Sequence, residues 1–464
     1  MKSNNPKPDN FARKLNKGVI TVRKKISRYV SSIIRKAFKC PKTQVEQCIQ
    51  YHLEHGENKQ AIMIAYIYIM LGKIRRLDFS LPAKQGVFSL SRMYDYSKQM
   101  NSIFHEESPE DIYLKKPVLL GNINGELFEG EAHTPRPYVS IISSAVITGG
   151  SSLVIYEKTC ELLSDEMVDF PSKEFGIKSP HISYRTNNKV ILGYKKKPNT
   201  NIQEGILLSC DHDNNYFHWL IECLPKLVFF DDLEQFKYVP LLIPAGLHEN
   251  LIAALARVNI NNHPIISLAS GVAYHVDRLY FPSHLSRVLD RYVAPPATET
   301  DIILSNKWIS RVASLLKRST QHSNIKPWRK LYLARKKGLR ALGNQDEIEL
   351  LLSEHNFEII DLDSASLDLQ IQLFSQASLI VAPTGAALTN MILCQPGTKV
   401  IIFMSNHETT NHYFWSSLGN IAKLDVTTII GERLFNLTNY YSVHDDYIID
   451  SNIVREEIEK IEQQ

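Results

Sequence analysis

Two stretches of the chain combine residue types that can do chemistry. The first, Asp211 to Lys226, reads DHDNNYFHWLIECLPK. On a helix, His218, Glu222 and Lys226 fall at i, i+4 and i+8, one polar stripe on a segment otherwise apolar on every side. Burying such a stripe without hydrogen bonds is costly, so its groups must satisfy one another or face a cleft. An imidazole with a carboxylate one turn away has the parts of an oriented general base, in which Glu222 fixes the tautomer of His218 and raises its basicity. The same spacing also describes a satisfied buried His–Glu pair. Pro225 removes a backbone donor and predicts a bend just after Glu222.

The second stretch, Ser378 to Met404, reads SLIVAPTGAALTNMILCQPGTKVIIFM. Length and punctuation predict a strand, a tight loop at Pro383-Thr384-Gly385, a short helix from Ala386 to Cys394, a turn at Pro396-Gly397 and a second strand. Small residues where the loop meets the helix leave backbone N–H groups uncovered at the positive end of the dipole, a place for an anion such as a diphosphate. An ordinary connection whose Gly serves only the turn is the other reading. Arg335 and Lys336 follow the strand Leu331 to Ala334, with Arg340 a few residues on. A guanidinium fork suits a diphosphate, and a solvated basic loop is the alternative. Asp211-His212-Asp213 and Asp361-Leu362-Asp363 match an Asp-x-Asp pattern too short to imply a metal, and none is expected. Asp213 reads as a helix cap and Asp361 as a strand-end turn residue.

These segments need elements to hold them. A chain of 464 residues with 44% hydrophobic content can bury the cores of two ordinary domains. A net charge of +4 excludes a polyanion binder of the whole-surface kind, but the basicity is local: no acid occurs from Asn10 to Val45. There, apolar residues recur at spacings of three and four, which predicts a basic amphipathic helix over 11–40 suited to an anionic inner-membrane surface. Packing on its own domain is the other reading. Aromatic residues are not interleaved to stack bases, so no nucleic-acid partner is expected. Gln44 to His55 and Lys59 to Lys73 predict a helical hairpin, and Pro82 to Pro117 has no readable pattern. From Val118, short β-rich runs lead into a long helix from Asn215 to about Phe230, a strand at Val239 to Ile243, a helix near Leu247 to Val258 and strands around Ile265 and Leu279. Pro295-Pro296 marks a linker. After a helix from about Ile302 to Arg318, strands and helices alternate regularly, which predicts a doubly wound parallel sheet with its ligand beyond the strands' carboxyl ends. Arg335 and Thr384-Gly385 both fall there. The six cysteines show no CxxC spacing and read as reduced core thiols. No run is long enough to span a bilayer, which reads as a cytoplasmic protein, peripheral where 11–40 meets the inner membrane.

Taken together, NYFHWLIECLPKL (215–227), YLARKKGLRALGNQDEIELLL (332–352) and APTGAALTNMILCQPGTKVII (382–402) resemble glycosyltransferase family 61, in the form found in bacterial capsule and cell-surface polysaccharide enzymes. The resemblance covers roughly residues 118 to 430. It implies an α/β, GT-B-like architecture of two Rossmann-like domains facing a cleft; residues 1–117 lie outside it and read as an N-terminal helical extension. The corresponding division is 1–117 for the extension, 118–296 for an acceptor-side domain, 297–440 for a nucleotide-sugar domain and 441–464 for a helix packing back. It further implies an inverting enzyme that needs no metal or cofactor and moves a sugar from a nucleotide donor to a saccharide or lipid-linked acceptor. By that likeness Arg335, Lys336, Arg340, Thr384, Gly385, Ala386 and Asn390 meet the donor, with Glu347 at the ribose. His218 and Glu222 face the acceptor, as do Asp213 and Asn215. Many members carry His-Gly-Ala-Gly where this chain has Thr384-Gly385-Ala386-Ala387, so a phosphate contact from that His has no counterpart here. A non-catalytic sugar-nucleotide or polysaccharide-binding scaffold is the alternative that this departure suggests.

Overall fold

The computed structural model describes residues 49–54, 56, 61, 84–121, 127–156, 158–159, 161–165, 182–185, 189–194, 200–210, 212–289, 298–318, 326–335, 339–407, 409–434 and 444–464. The basic segment 11–40, nearly all of the second hairpin helix, the Pro295-Pro296 linker and Lys336 lie outside them.

The described residues form a mixed α/β structure in which two large sheets flank a layer of helices. The first sheet has eleven strands. Its leading part is mostly antiparallel and includes Lys84–Arg92, Ile103–Glu106 and the long strand β1 (Tyr138–Thr148), with Lys84–Arg92 running parallel to Glu161–Ser164 on one side. Its trailing part is parallel: β2 (Asn201–Leu207), β3 (Leu241–Pro244), β4 (Ile265–Leu268) and β5 (Ala273–Pro282) lie side by side in the order β4-β3-β2-β5. β5 joins the two parts by running antiparallel to β1, from Ala273 opposite Thr148 to Pro282 opposite Val139. The first two strands arise from the stretch whose pattern gave no reading, because their partners lie far along the chain.

The second sheet is parallel through β6 (Arg329–Leu333), β7 (Glu358–Ile360), β8 (Ala377–Pro383), β9 (Lys399–Ser405) and β10 (Asp425–Arg433), in the order β7-β6-β8-β9-β10. Val118–Gly121 adds a further parallel strand beside β10. The order reverses direction between β6 and β8, and in such sheets the loops at that reversal diverge and open a crevice. Side chains alternate in the expected period of two. Leu331, Leu333, Ile380, Ala382, Val400 and Ile402 face one core, while Tyr332, Leu379, Val381, Ile401 and Phe403 face another.

Helix α1 occupies residues 216–231. It begins as Tyr216–His218, widens into a π turn at Trp219–Cys223 and continues as Leu224–Asp231. Pro225 has no N–H to give the carbonyl four residues back, and the ladder instead runs from the Leu224 N–H to the Trp219 carbonyl. The expected bend is therefore a π turn. α2 (Glu249–Val258), α3 (Asn306–Lys317), α5 (Leu367–Gln376) and α6 (Tyr413–Ala422) complete the middle layer, with a 3₁₀ helix at Ala386–Leu393 where an ordinary short helix was expected. α3 starts later than the sequence suggests: Ile302–Ile303 is a short strand, and the Ser305 hydroxyl accepts from the Trp308 N–H at 3.2 Å to cap the helix. α4 (Gln345–Glu354) and α7 (Ser451–Glu462) cover the outer face of the second sheet. One apolar core runs through the middle layer, from Val139, Ile206 and Leu241 of the first sheet to Ile380 and Ile402 of the second. Among the described residues no helix is long and apolar enough to cross a membrane. Cys210, Cys223 and Cys394 are free and buried.

Candidate active site

The start of α1 is set by Asn215, whose side chain accepts from the Phe217 N–H at 2.9 Å. The cap is therefore Asn215 and not Asp213, which is buried and accepts from the Ser209 hydroxyl. Burial lifts the Asp213 carboxyl to about 6, against the opposing pull of its bonds to Ser209 and Cys210.

One turn into α1, His218 Nδ1 meets Glu222 Oε2. Burial acts most strongly on Glu222 and would raise its pKa. The interactions of His218, and after it His284, together outweigh that and hold the carboxyl well below the ordinary carboxylate range. An ionised Glu222 accepts a hydrogen bond from Nδ1–H, which puts the basic lone pair of His218 on Nε2. Two further groups complete the arrangement. His284 Nδ1 lies 3.6 Å from Glu222 Oε1, and Lys226 Nζ sits 3.3 Å from His284 Nε2 and 3.1 Å from the Ser209 carbonyl. An ammonium only donates, so His284 Nε2 accepts and its hydrogen sits on Nδ1, turned toward Glu222. Lys226, 1% exposed, is thereby buried with its ammonium held between His284 and the Ser209 carbonyl.

The other wall comes from the second sheet at its reversal point. Arg335 lies just beyond β6 and donates through Nη1 to the Thr384 carbonyl, 2.7 Å away, just beyond β8. Gly385 leaves room for this: a Cβ there would stand 3.0 Å from Arg335 Nη1. The Thr384 N–H donates to the Phe403 carbonyl at 2.8 Å, and its hydroxyl accepts from Trp415 Nε1–H at 2.8 Å. Thr384 thus anchors the turn through its side chain. Burial, and then the like charge of Arg340, lower the pKa of Arg335 from its ordinary value; a guanidinium stays charged through such a shift. Arg340 itself sits in the left-handed backbone region, φ 64°, with its N–H on the His444 carbonyl at 3.1 Å.

Both walls enclose one cavity of about 560 Å³, within the range of small-molecule sites. His218, Asn215, Arg335, Arg340, Thr384, Gly385 and Ala386 all line it. Among the described residues the cavity lining has two arginines and three histidines and no carboxylate, which is an electrostatic setting for an anion. Two expected donor contacts lie elsewhere. Glu347 is exposed and accepts from Ser451 and, at 2.9 Å, from Asn344, where α4 meets α7. Asn390 is buried, accepting from the Tyr216 hydroxyl at 2.7 Å and donating to Gln370 at 2.8 Å, so it ties α1 to α5. Asp213 and Glu222 stand behind the cavity wall. Asp361 accepts from the Asp363 N–H at 3.0 Å, the turn that the strand end suggested. Among the described residues no three His, Cys, Asp or Glu side chains group as a metal site.

The sequence reading missed His212, Phe414, Trp415 and His444 on the cavity wall and His284 behind it. His212 alone carried a usable signal, standing six residues before His218, and the two rings lie 5.1 Å apart.

No curated protein matches the chain. The family model for glycosyltransferase 61 matches residues 216–401, which begin at α1, include Arg335 and the Thr384–Ala386 turn, and end within β9; the chain carries a glycosyltransferase family 61 domain, which supports a glycosyltransferase enzyme.

Proposed function

We propose that this glycosyltransferase is inverting and metal-independent, moving a sugar from a nucleotide donor to a saccharide or lipid-linked acceptor in bacterial capsule or cell-surface polysaccharide synthesis. In this reading the architecture is GT-B-like, with the donor against the second sheet and the acceptor at α1. The enzyme works in the cytoplasm, with residues 11–40 resting on the inner membrane. The observation that carries it is the single cavity with His218 on one side and Arg335, Arg340 and the 384–386 turn on the other.

His218 Nε2 takes the proton of the acceptor hydroxyl as its oxygen attacks the anomeric carbon, and Glu222 stabilises the imidazolium that forms. The anomeric carbon–oxygen bond to the diphosphate breaks on the opposite face, through an oxocarbenium-like state, which inverts the configuration. Charge gathering on the leaving diphosphate is met by Arg335, Arg340 and the first amides of the 3₁₀ helix after Gly385. Asn215 stands where the acceptor enters. Lys336, beside Arg335 in sequence, adds a third cation on the donor side.

Thermal stabilisation across a panel of sugar nucleotides identifies the donor, and His218→Ala then tests the base. Transfer, followed as nucleotide release, falls by about 10²–10⁴-fold while donor-induced stabilisation persists. Undiminished turnover in this variant removes His218 from the base role.

A further inference from the structure

A second cavity, of about 390 Å³, lies beyond the C-terminal end of α1. His218 and Phe230 are twelve residues apart on that helix, about 18 Å along its axis, so the cavity is separate from the catalytic one. Its lining has two kinds of surface. Phe236, packed against Phe230 at 4.7 Å, supports an aromatic ledge continued by Phe104 and by Tyr238, which is 87% exposed. Single exposed aromatics are ordinary, but here two converge on one concavity. Opposite them, Glu204 and Arg278 stand side by side in register on β2 and β5, and the Tyr280 hydroxyl donates to Glu204 Oε2 at 3.2 Å.

Flat apolar faces beside a carboxylate and a guanidinium fit a ring that is apolar on its C–H face and ringed with hydroxyls. The two charges have opposite sign, which disfavours a strongly ionic ligand. A peptide strand would need a free sheet edge, and β2 is paired on both sides, by β3 and β5. We propose that this cavity is a second saccharide-binding site, distinct from the catalytic pocket, that holds a sugar unit of the acceptor glycan. The inference rests on the preceding reading only in taking the acceptor to be a saccharide.

The test is binding of the full-length protein to a glycan array, comparing wild type with Tyr238→Ala and Glu204→Gln. Wild type retains at least one glycan class, and each variant weakens that retention by about tenfold while melting temperature and donor-induced stabilisation stay at wild-type values. No retained glycan, or equal retention by wild type and both variants, overturns the proposal. Either result is separate from failure of the catalytic reading, which is decided by turnover of His218→Ala.

Discussion

Two buried histidine–carboxylate pairs stand at opposite ends of α1, and they are built for different ends. At the start, His218 meets Glu222 with its side chain 12% exposed to a cavity, and His284 and Lys226 back the carboxylate. At the far end, His263 Nε2 lies 2.8 Å from Asp231 Oδ1 with 1% exposure, its Nδ1 is 2.9 Å from the Val239 carbonyl, and Asn261 donates to the same carboxylate oxygen at 3.0 Å. Both His263 nitrogens are turned to protein acceptors, so that ring serves as a bolt between helix and loop. The pairing alone does not make a base. Access to a cavity and a second layer that holds the carboxylate ionised are what separate the two.

The largest expected effect breaks the bolt. His263→Ala takes away the ring that hydrogen-bonds the buried Asp231 carboxylate, which costs about 3–5 kcal/mol of stability in chemical denaturation, while turnover per folded molecule stays at the wild-type level. That is the inverse of the pattern expected for His218→Ala.

A smaller effect, opposite in sign, sharpens the comparison at the other end. The folded chain holds the Asp213 proton up to about 6, against an ordinary value of 3.8, so the folded state binds more protons than the unfolded one between those values. Stability is therefore lost as pH rises through that window, by on the order of 3 kcal/mol once it is passed. Asp213→Asn cannot ionise and escapes the loss. Its melting temperature should match wild type near pH 4 and exceed it above about pH 6, and parallel curves across that range would remove Asp213 from this role.

On the wall opposite His218, which the proposed function gives to the donor, Arg335→Lys keeps the charge but loses the fork that reaches the Thr384 carbonyl. Nucleotide-sugar affinity should fall by about tenfold in calorimetric titration with little change in melting temperature. Gly385→Ala is the mildest. The added methyl crowds Arg335 Nη1, a flexible tip that can shift by a few tenths of an ångström, so affinity should drop by about two- to fivefold.

Periodicity and punctuation were enough to expect α1, the parallel second sheet and the strand-end positions of Arg335 and Thr384, since each depends on neighbours within a turn or two. Asn390 shows where that logic stops. The family likeness sets it against the donor, but Tyr216 and Gln370, distant in sequence, take up its amide. Glu347 is similar: its partner Ser451 lies 104 residues on. His284, Phe414 and His444 reach the site only through long-range packing, which has no local period to reveal it. The scattered strands of residues 84–114 fail for the same reason.

The apolar middle layer has a consequence for turnover. Large excursions of one domain against another are the default where their contact is small and polar, but here a single core runs from sheet to sheet. The spacing between His218 and Arg335 is then fixed at folding and does not wait for a clamshell to shut. On the proposed mechanism, donor and product exchange through an opening that already stands in the folded chain.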